Sequence, residues 1–120
     1  MSGKFGLDQK FAQFSEHWRP KVVAALNGQE IKIVKVRGTF PWHHHDNEDE
    51  LFLVIKGKLK MEFRDKIVEV MPGEFIIVPK GVEHKPVAED EVHILLFEPA
   101  STLNTGNVEN ERTRKVLEKI

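Results

Sequence analysis

Gly38-Thr39-Phe40-Pro41-Trp42-His43-His44-His45-Asp46-Asn47-Glu48-Asp49-Glu50-Leu51-Phe52-Leu53-Val54-Ile55-Lys56-Gly57 is the stretch on which the reading of this chain turns. In an extended segment successive side chains point to opposite sides. His43 and His45 therefore share one side and His44 takes the other. Two imidazoles on one side can grip a single ion. Equally, three histidines beside the acidic run Asp46–Asp49 can be a solvated polar loop. Glu50 then opens an apolar strand, Leu51–Ile55, where a lone carboxylate is expensive to bury unless a metal ion or a cationic partner neutralises it. The acidic run lacks the glycine and the spacing of a calcium loop.

Outward from this stretch the texture is short strands broken by turns. Lys56-Gly57 leads into Lys58–Arg64, which alternates cleanly. Leu59, Met61 and Phe63 fall on one face and Lys58, Lys60, Glu62 and Arg64 on the other, so one face is buried and one is wet. Lys66–Val70 follows a turn at Asp65. Met71-Pro72-Gly73 then separates it from Glu74–Val78. Pro79-Lys80-Gly81 shapes a tight turn that aims His84 inward, and Glu91–Phe97 is the last strand of the set. Upstream, Val22–Leu26 and Glu30–Arg37 flank Asn27-Gly28, a strong hairpin signal. Many short strands at this spacing predict an all-β sandwich or closed barrel. His43, His45, Glu50 and His84 together would make a nitrogen–oxygen site suited to Fe, Mn, Ni, Cu or Zn rather than Ca or Mg.

Helices are expected only at the two ends. Leu7, Phe11, Phe14 and Trp18 recur at helical spacing and predict a short amphipathic helix ending before Pro20, as a lid or a packing face. A second helix is expected from Val108, capped by Asn107, with Glu109 and Glu111 early and Lys115 and Lys119 late.

Bulk properties narrow the class. The chain has 120 residues, the size of one domain. It has no cysteine, which excludes disulfides, iron–sulfur clusters and cysteine zinc sites. With 18 basic and 19 acidic side chains it has no charge excess, so neither a nucleic acid nor a membrane surface is an expected partner. Met1–Lys10 lacks the apolar run of a signal peptide, and no apolar stretch is long enough to span a bilayer. The expected location is the cytoplasm.

The quoted stretch resembles the first motif of the cupins. Gly73-Glu74-Phe75-Ile76-Ile77-Val78-Pro79-Lys80-Gly81-Val82-Glu83-His84 resembles the second. The short gap between them resembles that of compact microbial cupins of the conserved-barrel type. Leu103-Asn104-Thr105-Gly106-Asn107 with Glu111-Arg112-Thr113 is similar to the end of small cupins described as like mannose-6-phosphate isomerase. The resemblance implies an all-β cupin or jelly-roll β-barrel with a short N-terminal helix and a C-terminal helix. It implies one cupin domain over residues 1–120 with the barrel core at about 21–98. It also implies one divalent transition metal ion (Fe, Mn, Ni or Zn) on His43, His45, Glu50 and His84, and a homodimer that pairs sheets or exchanges N-terminal strands, with Lys21–Leu26 a contributor. The chain departs from the family in two places. Gly38 to His43 is one residue shorter than usual, and Ala88 stands where an asparagine is common.

Four protein ligands on a six-coordinate ion leave two positions open, which separates a catalytic site from a closed structural one. Two functions follow. One is a metal-dependent enzyme of dioxygenase or isomerase/lyase type acting on a small polar substrate. The other is a non-catalytic cupin that binds or senses a small ligand. Trp42, Met61, Phe63 and His93 are the candidate pocket residues, although each could instead simply pack. His44 is expected at the surface or a subunit interface, and His17 at the end of the first helix.

Overall fold

The computed structural model describes residues 3–120. β1 (Lys21–Leu26) and β2 (Gln29–Thr39) form the expected hairpin, closed by the pair Leu26↔Gln29. Asn27 and Gly28 both take positive φ, 52° and 77°, the conformation that matches the twist of a two-residue turn to its strands. β3 (Glu50–Lys56), β4 (Leu59–Phe63), β5 (Ile67–Val70) and β6 (Phe75–Val78) follow at the predicted places. Gly57 joins β3 to β4 with φ +88°, and a Cβ there would lie 2.8 Å from the Glu91 carbonyl oxygen, so only glycine fits.

β7 (His84–Pro99) organises the rest. It is longer than the expected Glu91–Phe97 and pairs with three strands. Its first half runs antiparallel to β4, from Phe63↔His84 to Lys60↔Val87. Its second half lies between β3 and β2, as in Leu51↔Phe97 and Ile31↔Phe97. The exposed Glu89, Asp90 and Glu91 mark the passage between the halves, where β2 also shifts register between Val36 and Gly38. Bending at this point folds the sheet over on itself. The enclosed core takes Val34 and Val36 from β2, Val54 from β3, Leu59 and Met61 from β4, and Val92, Ile94 and Leu96 from β7. This is the all-β jelly-roll barrel expected.

The two ends differ from the reading. The N-terminal helix exists, but α1 covers only Leu7–Phe11. Its apolar stripe is divided between two cores. Phe11 packs outside the sheet with Val23 and Ile33, whereas Trp18 turns inward and stacks on Phe40 at 4.8 Å. Trp18 takes φ 62°, held by its backbone N–H donating to the Lys35 carbonyl at 2.9 Å and its indole N–H to the Arg37 carbonyl at 2.9 Å.

The helix expected from Val108 is absent, and turns lead instead to the short β8 (Glu118–Lys119). Side chains that would cap or line a helix bond elsewhere. The Asn107 Oδ1 accepts from the His44 backbone N–H at 2.8 Å. The Asn104 side chain accepts from the Arg114 N–H and donates to the Arg112 carbonyl. The Thr105 and Thr113 hydroxyls bond at 2.7 Å. Val116 is 89% exposed, so no apolar stripe rewards a helix here. β8 lies parallel to β1 and covers the start of that edge, the segment expected to exchange between subunits. Among the described residues no helix is long and apolar enough to cross a membrane.

Candidate metal centre

The sequence brings four donors together through backbone pairing. His43 and His84 are locked by reciprocal bonds, His43 N–H to the His84 carbonyl at 3.1 Å and His84 N–H to the His43 carbonyl at 2.9 Å. The His45 carbonyl accepts from the Gly81 N–H at 2.7 Å, which ties the Pro79–Gly81 turn to the histidine segment. Glu50 stands at the start of β3 opposite Val78. The alternation then directs all three imidazoles and the carboxylate inward. His43, His45, Glu50 and His84 are 2%, 3%, 4% and 0% exposed, and one donor atom from each lies within 4.8 Å of the others.

Hydrogen bonds at the far side of two rings fix their tautomers. Nδ1 of His43 lies 2.9 Å from the Pro41 carbonyl and Nδ1 of His84 lies 2.9 Å from the Val82 carbonyl. A carbonyl only accepts, so each Nδ1 carries the proton and each Nε2 is left with a lone pair. The His45 Nε2 sits 3.2 Å from the Glu50 Oε1, and the His84 Nε2 3.7 Å from it. The His45 Nε2, His84 Nε2 and Glu50 Oε1 are buried without a hydrogen-bond partner among the described residues. Buried polar atoms left unpaired are costly, and a cation at their centre satisfies all of them. Three imidazoles and one carboxylate therefore fit a divalent transition metal. Burial, reinforced by the neighbouring His84, pushes His43 down to about 4, so its ring is neutral and free to ligate at neutral pH. Glu50 is also held low. Its burial acts in the raising direction, but the adjacent Glu98, His45 and His84 side chains outweigh it.

A cavity of about 50 Å³ opens beside His43 and Glu50. Its walls are mostly apolar, among them Trp18, Phe40, Phe52 and Leu117. Lys32 and Glu98 form its other charged surface. Both are 2% exposed and they pair at 2.8 Å. Burial, together with the charge on Glu50, pushes Glu98 well above the usual carboxylate range. Sequence reading did not single out this pair, although a signal existed. Lys32 continues the inward row of Val34 and Val36, and Glu98 continues that of Val92, Ile94 and Leu96.

The four residues expected at a pocket do not line this cavity. Trp42 sits one position before His43 and takes the opposite side, under the Arg64 guanidinium at 3.9 Å. Met61 is wholly buried between the sheet halves. Phe63 lines a separate surface groove with Arg64, Val68 and Ile76. His93 alternates outward from Val92 and Ile94, stacks on Phe11 at 4.5 Å and meets Glu91 at 3.0 Å. His44 points away from the cluster to Asp46 at 2.9 Å, and His17 pairs with Glu91 at 2.7 Å.

Comparison with known proteins agrees with this architecture. A crystal structure of a cupin-2 domain containing protein from Shewanella frigidimarina superposes with a TM-score of 0.78 at 44% identity, covering 79% of this chain and 93% of that one. Protein NMB1881 from Neisseria meningitidis gives 0.75 at 28% identity, covering 82% and 100%. The uncharacterized protein YdbB of Bacillus subtilis is 32% identical over 78 residues, 64% of this chain and 63% of that protein, so the match spans less than two thirds of this relative. The family model for the cupin domain matches residues 31–98, a segment that contains all four donors of the cluster, and the chain belongs to the cupin domain family.

Proposed function

We propose that this protein is a metal-dependent enzyme acting on a small polar substrate, of dioxygenase or isomerase/lyase type. The observation that carries this reading is the buried cluster of unpaired donors on His45, Glu50 and His84, completed by His43 and opening on a cavity. An iron, manganese, nickel or zinc ion held there would polarise a substrate oxygen, and iron would add redox chemistry with dioxygen. The chain's own residues supply the rest. The Pro41 and Val82 carbonyls hold two rings in the ligating tautomer, and the apolar walls exclude water. The alternative reading is a cupin that binds or senses a small ligand without turnover, and the mostly apolar wall of the cavity favours it.

The deciding experiment is elemental analysis of protein purified without an affinity tag, beside the His45→Ala, His84→Ala double variant. The expected result is close to one metal per chain, lost in the variant. Iron selects oxygen chemistry; manganese, nickel or zinc selects isomerase-like chemistry. No metal after anaerobic reconstitution would overturn the enzyme in favour of the binding module.

The partners of this reading are a small molecule and a second copy of the chain, with no nucleic acid and no membrane. The outer face of the sheet supports the second copy. Ile77, Leu51, Phe97 and Ile31 stand in one cross-strand row and Phe75, Leu53 and Leu95 in the next. Phe75 and Ile77 are 61% and 53% exposed. Light scattering at micromolar concentration is expected to give twice the chain mass, and Ile77→Lys to lower it; a monomeric wild type would sink this assignment.

A further inference from the structure

Lys32 is a buried cation with donors to spare. Its ammonium has three donors, and one of them meets the Glu98 Oε1 at 2.8 Å. Among the described residues, the only other carboxylate it pairs with is Glu30, at 3.8 Å, beyond hydrogen-bonding distance. The second oxygen of Glu98, Oε2, is buried without a hydrogen-bond partner among the described residues. An unused donor and an unused acceptor thus stand side by side on the wall of the cavity that His43 and Glu50 also line. As a device for stability such a pair is weak, because apolar residues of similar volume do as well or better in a buried place. As a recognition element it is well matched to one group. A hydroxyl both accepts and donates, so it can take the Lys32 proton and give its own to Glu98.

The rest of the cavity fixes the remainder of the ligand. A volume of about 50 Å³ holds on the order of four water-sized positions, which limits the ligand to a few heavy atoms. The walls between the two polar ends are apolar, including Val34, Phe52, Ile94 and Leu96, and match a short hydrocarbon segment. With a divalent ion on the cluster, that ion and Lys32 outweigh Glu50 and Glu98 by one positive charge even with both carboxylates ionised. Glu30 stands 3.8 Å away and 20% exposed, where water screens it. A monoanion balances the interior.

We infer that Lys32 and Glu98 are the second anchor of the cavity and select a short hydroxy acid, its carboxylate at the metal ligands and its hydroxyl between the Lys32 ammonium and the Glu98 carboxyl. This rests on the metal reading above, because the carboxylate end is assigned to the ligand cluster. Both residues touch the ligand in this scheme and set its specificity.

The test is calorimetric titration of the zinc-loaded protein with 3-hydroxypropionate and with propionate, which differ only in the far hydroxyl. The wild type is expected to prefer the hydroxy acid by roughly tenfold or more, the scale of hydrogen bonds to charged groups. Lys32→Met with Glu98→Leu is expected to bind both acids equally while holding the same zinc. If that double variant does not fold, Lys32→Met with Glu98→Gln keeps a polar side chain beside Glu50 and carries the same expectation. Equal affinities in a wild type that holds stoichiometric zinc would overturn this inference alone. So would a preference that survives in the zinc-loaded variants, which would make the pair purely structural. A wild type that takes up no zinc would overturn the metal reading and this one with it, and zinc content measured on the same samples separates the cases.

Discussion

His43, Glu50 and His84 stand on strands or on backbone bridged to them and His45 is held by a backbone bond from the Gly81 turn, whereas Trp18, Pro20, Asn104 and Leu117, which wall the cavity beside them, stand on irregular segments. The donors are placed by ladder hydrogen bonds such as His43 to His84. The walls are placed by isolated side-chain bonds such as the Trp18 indole to the Arg37 carbonyl. The donors also lie within the segment matched to the family, residues 31–98, and these four wall residues lie outside it. Backbone pairing fixes a geometry whatever the neighbouring side chains are. Side-chain pairing depends on the individual residue. A ligand set can therefore be common to many chains while the wall that admits or rejects a molecule is particular to one.

The largest test of this division is Trp18→Ala. It removes a buried ring stacked on Phe40 and a hydrogen bond, and is expected to cost about 3–5 kcal/mol in urea unfolding. Metal content should be unchanged, since no donor is touched; loss of metal would show that wall and donors are one unit. Gly106→Ala probes a place where they are joined. Gly106 has φ +57°, its Cβ would land on the His44 carbonyl oxygen, and the His43 ring lies 3.2 Å from the same point. We expect a loss of about 3 kcal/mol and metal affinity weakened roughly tenfold, read by chelator competition. Wild-type affinity in this variant would mean that the C-terminal loop rests on the histidine segment without steadying it. The smallest effect belongs to Glu91, which His17 and His93 hold down to about 2 and which ties the N-terminal segment to the sheet. A depressed carboxyl stabilises the fold above its unfolded value of 4.5, and that contribution is lost as pH falls from there toward 2. Glu91 is half exposed, so solvent screening keeps the contribution below about 1 kcal/mol. Glu91→Gln should flatten this part of the acid titration of tryptophan fluorescence, and an unchanged titration would remove Glu91 from the account.

What could be read from sequence follows the same line. Asn27-Gly28 has one favourable geometry between two strands, and the structure adopts it. Leu59 and Met61 alternate with Lys60 and Glu62, and only one face of that strand can be buried. The closeness of His43, His45, Glu50 and His84 was legible because the turn glycines and the strand period limit where each can point. Lys32 and Glu98 were passed over because a charged residue near a strand end is ordinarily solvated. Their inward position shows only when the parity of Val34 and Val92 is carried to the end of each strand. The C-terminal helix failed for a related reason. Local charge order favours it, but Asn104, Asn107 and Thr105 find partners that are distant in sequence or in another segment, and a local rule does not see these. His93 and Trp42 are pocket candidates by chemistry alone, and their parity with Val92 and His43 points them away from the cavity.

β7 has a consequence for how the protein comes into being. It follows in synthesis every strand that it pairs with, namely β2, β3 and β4. Before it leaves the ribosome, the nascent chain can form only separate two-stranded pairs, β1 with β2, β4 with β5 and β3 with β6, none of which is stable alone. The barrel therefore assembles late and in one cooperative step, with long loops to close and a correspondingly slow rate. His84 arrives on that same strand, so metal capture waits until synthesis has passed it, and a chain stalled before residue 84 presents His43, His45 and Glu50 to the cell without the strand that completes them.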